Sequence, residues 1–416
     1  MSKYLITGGN RLYGKVKVQR AKNSVLTLIA ASILVKGEVK IIDCPKINDV
    51  FTMIKILKRI GATASFDNGD LRIDCTNIYS SKLPDRPSGE VRASFFTVGA
   101  LLSRFKTASV MRPGGCNIGA RPIDIHIEGL LALGASYGEE NCRLDFYAPA
   151  LKGKAFRLRY PSVGATENLI MAATLAEGVT VLENCAREPE IEDLQNFLNA
   201  CGAKISGAGT PRVTVVGVKE LHGGVEFMPI ADRIEAGTFL LAALSCGGEI
   251  QLNDIYHKNI LSLIQKFHNN TCKIHIKNDN IIIMGIGRTM PFGRVVTAPY
   301  PNFPTDLQPQ LTAVAASAEG KTVVTETVFD DRFGFTGELN KMGADITVNG
   351  NTAVIVGRPL HGAEVFAKDL RGGAALTLAG LKAEGETLLH GVEHLERGYE
   401  DFVGKLASLG AKIKRI

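Results

Sequence analysis

Aromatic residues are scarce in this chain of 416 residues: tryptophan is absent and aromatics make up 6%. A protein that stacks single-stranded bases needs an interleaved aromatic array, and no block of lysine and arginine is present to follow a phosphate backbone either. No nucleic-acid partner is therefore expected. The eight cysteines contain no Cys-x-x-Cys, and the eight histidines form no ligand-spaced pair with them, so no structural metal is implied. No uninterrupted apolar run approaches the ~20 residues of a membrane span. The start, Met1-Ser2-Lys3-Tyr4-Leu5-Ile6-Thr7-Gly8, lacks the apolar core of a signal peptide, so a cytoplasmic location without membrane insertion is expected.

What is present is ordinary globular composition, 45% hydrophobic and 22% charged, in a length that allows two or three domains. The net charge of +6 suits anionic small substrates as well as it suits nucleic acid.

Self-comparison reveals a repeat. A helix-like run ending in Gly-Ala and followed by a strand-like run occurs at Gly61-Ala62, Gly134-Ala135, Gly202-Ala203, Gly343-Ala344 and Gly410-Ala411, at glycine intervals of 73, 68, 141 and 67. The interval of 141 spans two periods, with a degenerate copy at Ile264 to Ile274 that has lost its Gly-Ala pair. In step with it, an alanine-rich helix ending in glycine before β-branched residues recurs at Gly37, Gly178, Gly247, Gly320 and Gly385. Each unit is thus about seventy residues of helix and strand. Alanine-rich helices such as Ala313 to Ala318 and Ala374 to Ala383 carry little polar face and are expected to be buried between sheets. Grouped three and three, the six units make two pseudo-symmetric domains, the first ending near Lys219 to Met228, with His222-Gly223-Gly224 as a plausible crossing point.

The chemistry-bearing residues are dispersed over both halves. Met111 to Arg121 places Cys116 among three glycines with Arg112 and Arg121 at the edges and Pro113 and Pro122 as punctuation, so the thiol sits in a cationic loop. Arginine stabilises a thiolate and exposure gives it access, which points to reactivity; a free cysteine stranded in a turn is the alternative. Lys22-Asn23 opens a helix-like run, where an ammonium and free amides would make an anion site, unless the lysine is simply solvated. Arg92 stands in an apolar segment, and Arg371 and Arg397 stand beside glycines; each either pairs with an acid or faces a ligand, whose oxygens a guanidinium fork binds in pairs. Asp306 lies within a loop that has four prolines from Pro299 to Pro309, where it serves as a helix N-cap or as a rigidly held general base.

With these residues assembled, the chain resembles the UDP-N-acetylglucosamine 1-carboxyvinyltransferases, an enolpyruvyl transferase family related to the shikimate-pathway enolpyruvyl transferases. The strings that carry the resemblance run in order through the chain: Ala21-Lys22-Asn23, Gly114-Gly115-Cys116 to Pro122, Ser162-Val163-Gly164-Ala165-Thr166, Ala186-Arg187-Glu188-Pro189-Glu190, Asp232-Arg233-Ile234-Glu235, Phe303-Pro304-Thr305-Asp306, Asp369-Leu370-Arg371 and Arg397-Gly398-Tyr399-Glu400. It implies an inside-out α/β barrel fold in two domains of three repeats, residues 22–229 and residues 1–21 with 230–416. It also implies phosphoenolpyruvate as donor and UDP-N-acetylglucosamine as acceptor, in the first committed step of bacterial peptidoglycan synthesis, with no cofactor and no metal. Carried over, Cys116 is the general acid and the residue an epoxide phosphonate such as fosfomycin alkylates. Lys22, Arg121 and Arg397 hold phosphate, Arg92 and Arg371 assist, and Asp306 takes the sugar hydroxyl proton. Asn23, Arg121, Pro122, Ile123, Asp124, Ile125, Ser162, Val163, Gly164 and Val328 bind substrate.

Three features depart from the family pattern: Arg20 before Ala21, Tyr160-Pro161 where some members carry a lysine near the uridine, and the degenerate fourth repeat. Tyr160 can still stack on uracil. The shikimate-pathway enzymes are not built around a cysteine loop, so Cys116 to Pro122 argues against them. The sequence leaves the oligomeric state open between monomer and weak oligomer.

Overall fold

The computed structural model describes residues 2–112, 122–267 and 270–416. They form two compact units, 20–230 and 2–19 with 231–416, each built from three repeats. The chain passes from one unit to the other at residues 19–20 and 230–231, so His222 to Gly224 lies inside a unit and not at a crossing.

The repeat is a sheet with a helix beneath it. Strands Ala155–Arg157, Arg294–Val296 and Glu364–Phe366 each run parallel to the strand that follows the next helix, Val179–Glu183, Lys321–Thr325 and Glu386–His390. A helix therefore crosses between parallel partners, and an antiparallel hairpin completes each sheet. Two further sheets borrow their parallel edge strand from elsewhere in the chain, Leu12–Lys17 beside Gly248–Asn253 and Val225–Phe227 beside Glu38–Ile41. The sheet Thr107–Met111, Arg143–Tyr147 and Ser136–Glu140 has only a single parallel bridge, Lys82 to Ser109, in that place. Alternate residues of these strands are buried, as period-two patterning requires of a sheet with one covered face.

The covering elements are six inner helices: α1 (Lys22–Ala31), α2 (Thr97–Phe105), α3 (Val163–Thr174), α4 (Arg233–Cys246), α5 (Gln308–Ala315) and α6 (Leu370–Lys382). Every residue from Arg233 to Ser245 in α4 and from Leu370 to Leu381 in α6 is buried, which suits helices that are apolar nearly all round. In one unit α4, α5 and α6 pack on one another, and in the other α2 packs on α1 and α3. Helices lie inside and sheets outside, as the alanine-rich runs predict.

The Gly-Ala signature has one physical cause. Five of the outer helices end in a Schellman motif, with the alanine N–H donating to the carbonyl five residues back: Ala62 to Leu57 at 3.1 Å, Ala135 to Leu130 at 3.0 Å, Ala203 to Leu198 at 2.9 Å, Ala344 to Leu339 at 3.2 Å and Ala411 to Leu406 at 3.1 Å. The preceding glycines have φ between 88° and 114°, a region that favours glycine. Where the fourth repeat lacks the pair, its outer helix shrinks to Leu261–Ile264 and runs on as the 3-10 turn Gln265–Phe267.

Candidate active site

Within each unit several of the singled-out residues, Lys22, Ser162 to Gly164 and Arg371, lie at the N-terminal ends of inner helices, and Arg92 and Asp306 lie in the turns just before α2 and α5, where unpaired amides and the helix dipole favour anions. In the 20–230 unit Lys22 is the first residue of α1, whose N-cap Ala21 supplies no side-chain cap. Lys22 Nζ lies 2.7 Å from Asp49 Oδ2, both side chains being largely buried, and Asn23 beside it is exposed. Arg20, the unusual residue, pairs its Nε with Asp43 Oδ2 at 3.2 Å. Arg92 Nη2 donates to the Pro122 carbonyl at 3.3 Å, which ties the Arg92–Phe96 turn to the Pro122–Ile125 segment. Ile123 and Ile125 are buried, and Asp124 pairs with Arg159. Ser162 caps α3 through its hydroxyl, which accepts from the Ala165 N–H, and Val163 and Gly164 form the first turn.

His126 locks these pieces together. Asn168 Oδ1 accepts from the Gly99 N–H at 2.6 Å, so its Nδ2 faces the Phe95 carbonyl at 3.0 Å and His126 Nδ1 at 3.1 Å. The histidine proton is thereby assigned to Nε2. A Cβ on Gly164 would come within 3.4 Å of that Nε2 and 2.8 Å of a Phe96 ring carbon, which leaves room for little but glycine. Burial, and then the Arg92 charge, push the His126 pKa down to about 3. An unfolded histidine titrates near pH ~6.5. The neutral ring therefore stabilises the fold in full above that pH, and the contribution is lost as pH falls toward 3. Between pH ~6 and ~4 the unfolding free energy of wild type should fall more steeply than that of His126→Asn, by about 1.4 kcal/mol per unit. Equal slopes in urea titrations would show that His126 is not held neutral.

In the other unit Asp306 lies in the 3-10 turn Thr305–Leu307, and the N-cap of the helix that follows, α5, is Leu307, with no side-chain cap bond made there. The N-cap alternative is thereby removed. Asp306 instead accepts from two guanidiniums, Arg332 Nη2 on Oδ1 at 2.8 Å and Arg371 Nη2 on Oδ2 at 3.0 Å. Those arginine side chains are 3% and 5% exposed, and buried charges of this kind require a counter-charge. Arg371 is the second residue of α6, and Asp369 Oδ1 accepts from its N–H and from that of Gly372, each at 3.0 Å. Its guanidinium lies over the Tyr399 ring at 5.5 Å. Burial works against the Arg371 charge, yet Asp306, Tyr399 and Asp232 outweigh it and the pKa is raised. The Tyr399 hydroxyl lies 2.9 Å from Thr238 Oγ1, and Gln310 Nε2 donates to both at 3.2 Å, so α4, α5 and the Arg397 segment meet in one polar cluster. Arg397 ends the turn Val392–Arg397, half-buried, and the Val328 N–H is held by Glu326 Oε1 at 2.8 Å.

Cys116 and Arg121 lie outside the described residues. Of the other seven cysteines, Cys44, Cys75, Cys185 and Cys201 are buried, Cys246 and Cys272 are half-buried and Cys142 is exposed. Burial pushes the thiols of Cys75, Cys185 and Cys272 up to about 11 and those of Cys201 and Cys246 up to about 12, so none of these five is a thiolate near neutral pH. Among the described residues no group of three or more His, Cys, Asp or Glu could hold a metal, and no helix is long and apolar enough to cross a membrane. Arg332 gives no sign of its role in the sequence, since beside Asp330 and Asp331 it reads as a solvated charge run.

Two units of three repeats, with helices inside and several of their N-termini carrying candidate residues, define an enolpyruvyl transferase fold. The enolpyruvyl transferase NikO from Streptomyces tendae is similar over 100% of this chain and 98% of its own, with a TM-score of 0.89 and 26% identity. EPSP synthase from Acinetobacter baumannii shares the fold at a TM-score of 0.72 and 20% identity, covering 100% of each chain. The model of EPSP synthase, 3-phosphoshikimate 1-carboxyvinyltransferase, matches residues 6–406, and the chain belongs to that family. Within it, the UDP-N-acetylglucosamine 1-carboxyvinyltransferase 2 of Caldanaerobacter subterraneus subsp. tengcongensis is 49% identical over 100% of both chains. The UDP-N-acetylglucosamine 1-carboxyvinyltransferase of Coxiella burnetii is 44% identical over 100% of this chain and 96% of its own.

Proposed function

We propose that this protein transfers the enolpyruvyl group of phosphoenolpyruvate to the 3-hydroxyl of UDP-N-acetylglucosamine and releases phosphate, in the bacterial cytoplasm, as a step of peptidoglycan synthesis. The observation that carries the reading is identity of 49% and 44%, across the whole chain, with relatives named for that activity. The chemistry is addition followed by elimination. Cys116 protonates C3 of the donor while the sugar oxygen bonds to C2 and its proton passes to Asp306. Loss of a C3 proton then restores the double bond as the C2–O bond to phosphate breaks. Lys22, Arg121 and Arg397 hold the phosphate, with Arg92 and Arg371 assisting, and preorganised cations of this kind stabilise the charge that develops. Asn23, the Arg121 to Ile125 segment, Ser162, Val163, Gly164 and Val328 bind substrate.

The pairing of Asp306 with Arg332 and Arg371 adds a condition. A carboxylate held by two guanidiniums is a poor proton acceptor until one of them is drawn away, and an anionic donor competes for Arg371.

A phosphate-release assay tests the reading. Release should require phosphoenolpyruvate together with UDP-N-acetylglucosamine and should not occur with 3-phosphoshikimate as acceptor; the reverse pattern would assign the chain to the other branch of its family.

A further inference from the structure

We infer that Glu326, which no part of the reaction above employs, is a positioning residue that holds Asp306 and Val328 in register with each other. The inference rests on reading the chain as an enolpyruvyl transferase. Glu326 directly follows strand Lys321–Thr325 and is 1% exposed. Its Oε1 accepts from Thr297 Oγ1 at 2.8 Å, from the Val328 N–H at 2.8 Å and from the Phe329 N–H at 3.2 Å, and its Oε2 accepts from Thr305 Oγ1 at 3.0 Å. Thr305 is the residue before Asp306, and Val328 and Phe329 lead into Arg332, the second guanidinium on Asp306. One buried carboxylate thus fixes both ends of the Asp306–Arg332 pair. Among the described residues no cation pairs with Glu326, so hydrogen bonds alone compensate its burial.

The repeats show that the fold does not demand this residue. Aligned by the parallel edge pair and the backbone bond that follows it, strands Val179–Glu183, Gly248–Asn253 and Glu386–His390 have Asn184, Asp254 and Gly391 in the place of Glu326. Those residues turn the chain through φ of 55°, 65° and 70°. Glu326 is not among the residues of positive φ; its carboxylate closes the turn by accepting the two amides instead. A local solution of the fold has been replaced by one that reaches Thr305.

The test compares Glu326→Gln, Glu326→Asn and Glu326→Ala in the full chain. Gln keeps an oxygen for the Val328 and Phe329 amides and offers its amide to Thr305, so kcat and KM should stay within roughly fivefold of wild type. Asn, the solution of the third repeat, should fold but lower kcat about a hundredfold and raise the KM for UDP-N-acetylglucosamine, as expected for misplacement of reacting groups by about 1 Å. Ala should do the same and speed amide hydrogen exchange at Val328 and Phe329 more than tenfold. A merely structural Glu326 would lower Tm and leave kcat and KM within twofold well below the melting temperature, and that result in Asn or Ala overturns the inference. Should wild type fail to release phosphate from this substrate pair, the functional reading falls by itself. The exchange rates then decide whether Glu326 orders the segment, and unchanged rates in the Ala variant overturn the inference as well.

Discussion

Cys116→Ala should lose turnover by a factor of about 10²–10⁴ while its unfolding transition stays where it is, because a general acid contributes on that scale and a sequence as rich in glycine as that around Cys116 is expected to contribute little packing. Cys116→Asp should recover part of the activity, since a carboxylic acid can deliver the same proton. Fosfomycin should alkylate Cys116 in wild type and spare the aspartate form. The informative competitor is Cys142, the exposed thiol among the described cysteines, whereas burial suppresses the thiolates of Cys75, Cys185, Cys201, Cys246 and Cys272. An adduct found by mass spectrometry on Cys142, or wild-type turnover in Cys116→Ala, would remove Cys116 from the reaction.

Asp306→Asn should reduce kcat by a comparable factor of about 10²–10⁴. Unlike the cysteine change it should also destabilise the fold, by roughly 1–3 kcal/mol, because two largely buried guanidiniums lose their shared counter-charge. Turnover and stability both fall, so the two together do not separate a base from a counter-ion. The pH profile does. If Asp306 receives the hydroxyl proton, the acidic limb of the kcat/KM profile should vanish in Asp306→Asn. If it serves only to neutralise Arg332 and Arg371, the limb should persist with its midpoint unchanged, and the base would have to be sought elsewhere.

The architecture was legible because its signals are local. A Schellman cap needs glycine at one position and follows a helix of set length, so Gly61, Gly134, Gly202, Gly343 and Gly410 mark the period with no knowledge of what packs where. Helices apolar on every side, such as α4 and α6, announce their burial in the same way. The break in the fourth repeat was visible as well, and the short Leu261–Ile264 helix is its consequence.

The site was legible only in part. The Ala21-Lys22-Asn23 and Asp369-Leu370-Arg371 strings are local and sit at helix starts, and they point to charge at those N-termini. Whether Asp306 caps a helix or serves another role could not be read from its neighbours, because the decision rests with Arg332 and Arg371, which lie 26 and 65 residues away. His126 and Glu326 are invisible for a related reason. A histidine between Ile125 and Ile127 reads as core, and a glutamate at the end of a strand reads as solvated.

By itself, then, the sequence determined the sixfold repeat, the helix-inside arrangement and the family, since caps, apolar faces and motif strings are properties of short segments. The tertiary structure alone decided which charges neutralise one another. That Asp306 shares two guanidiniums, that His126 carries its proton on Nε2 and that Glu326 ties Thr305 to Val328 depends on side chains brought within 3.5 Å from distant segments. Pairing energies at that range are set by burial and distance, and neither is written in the order of residues.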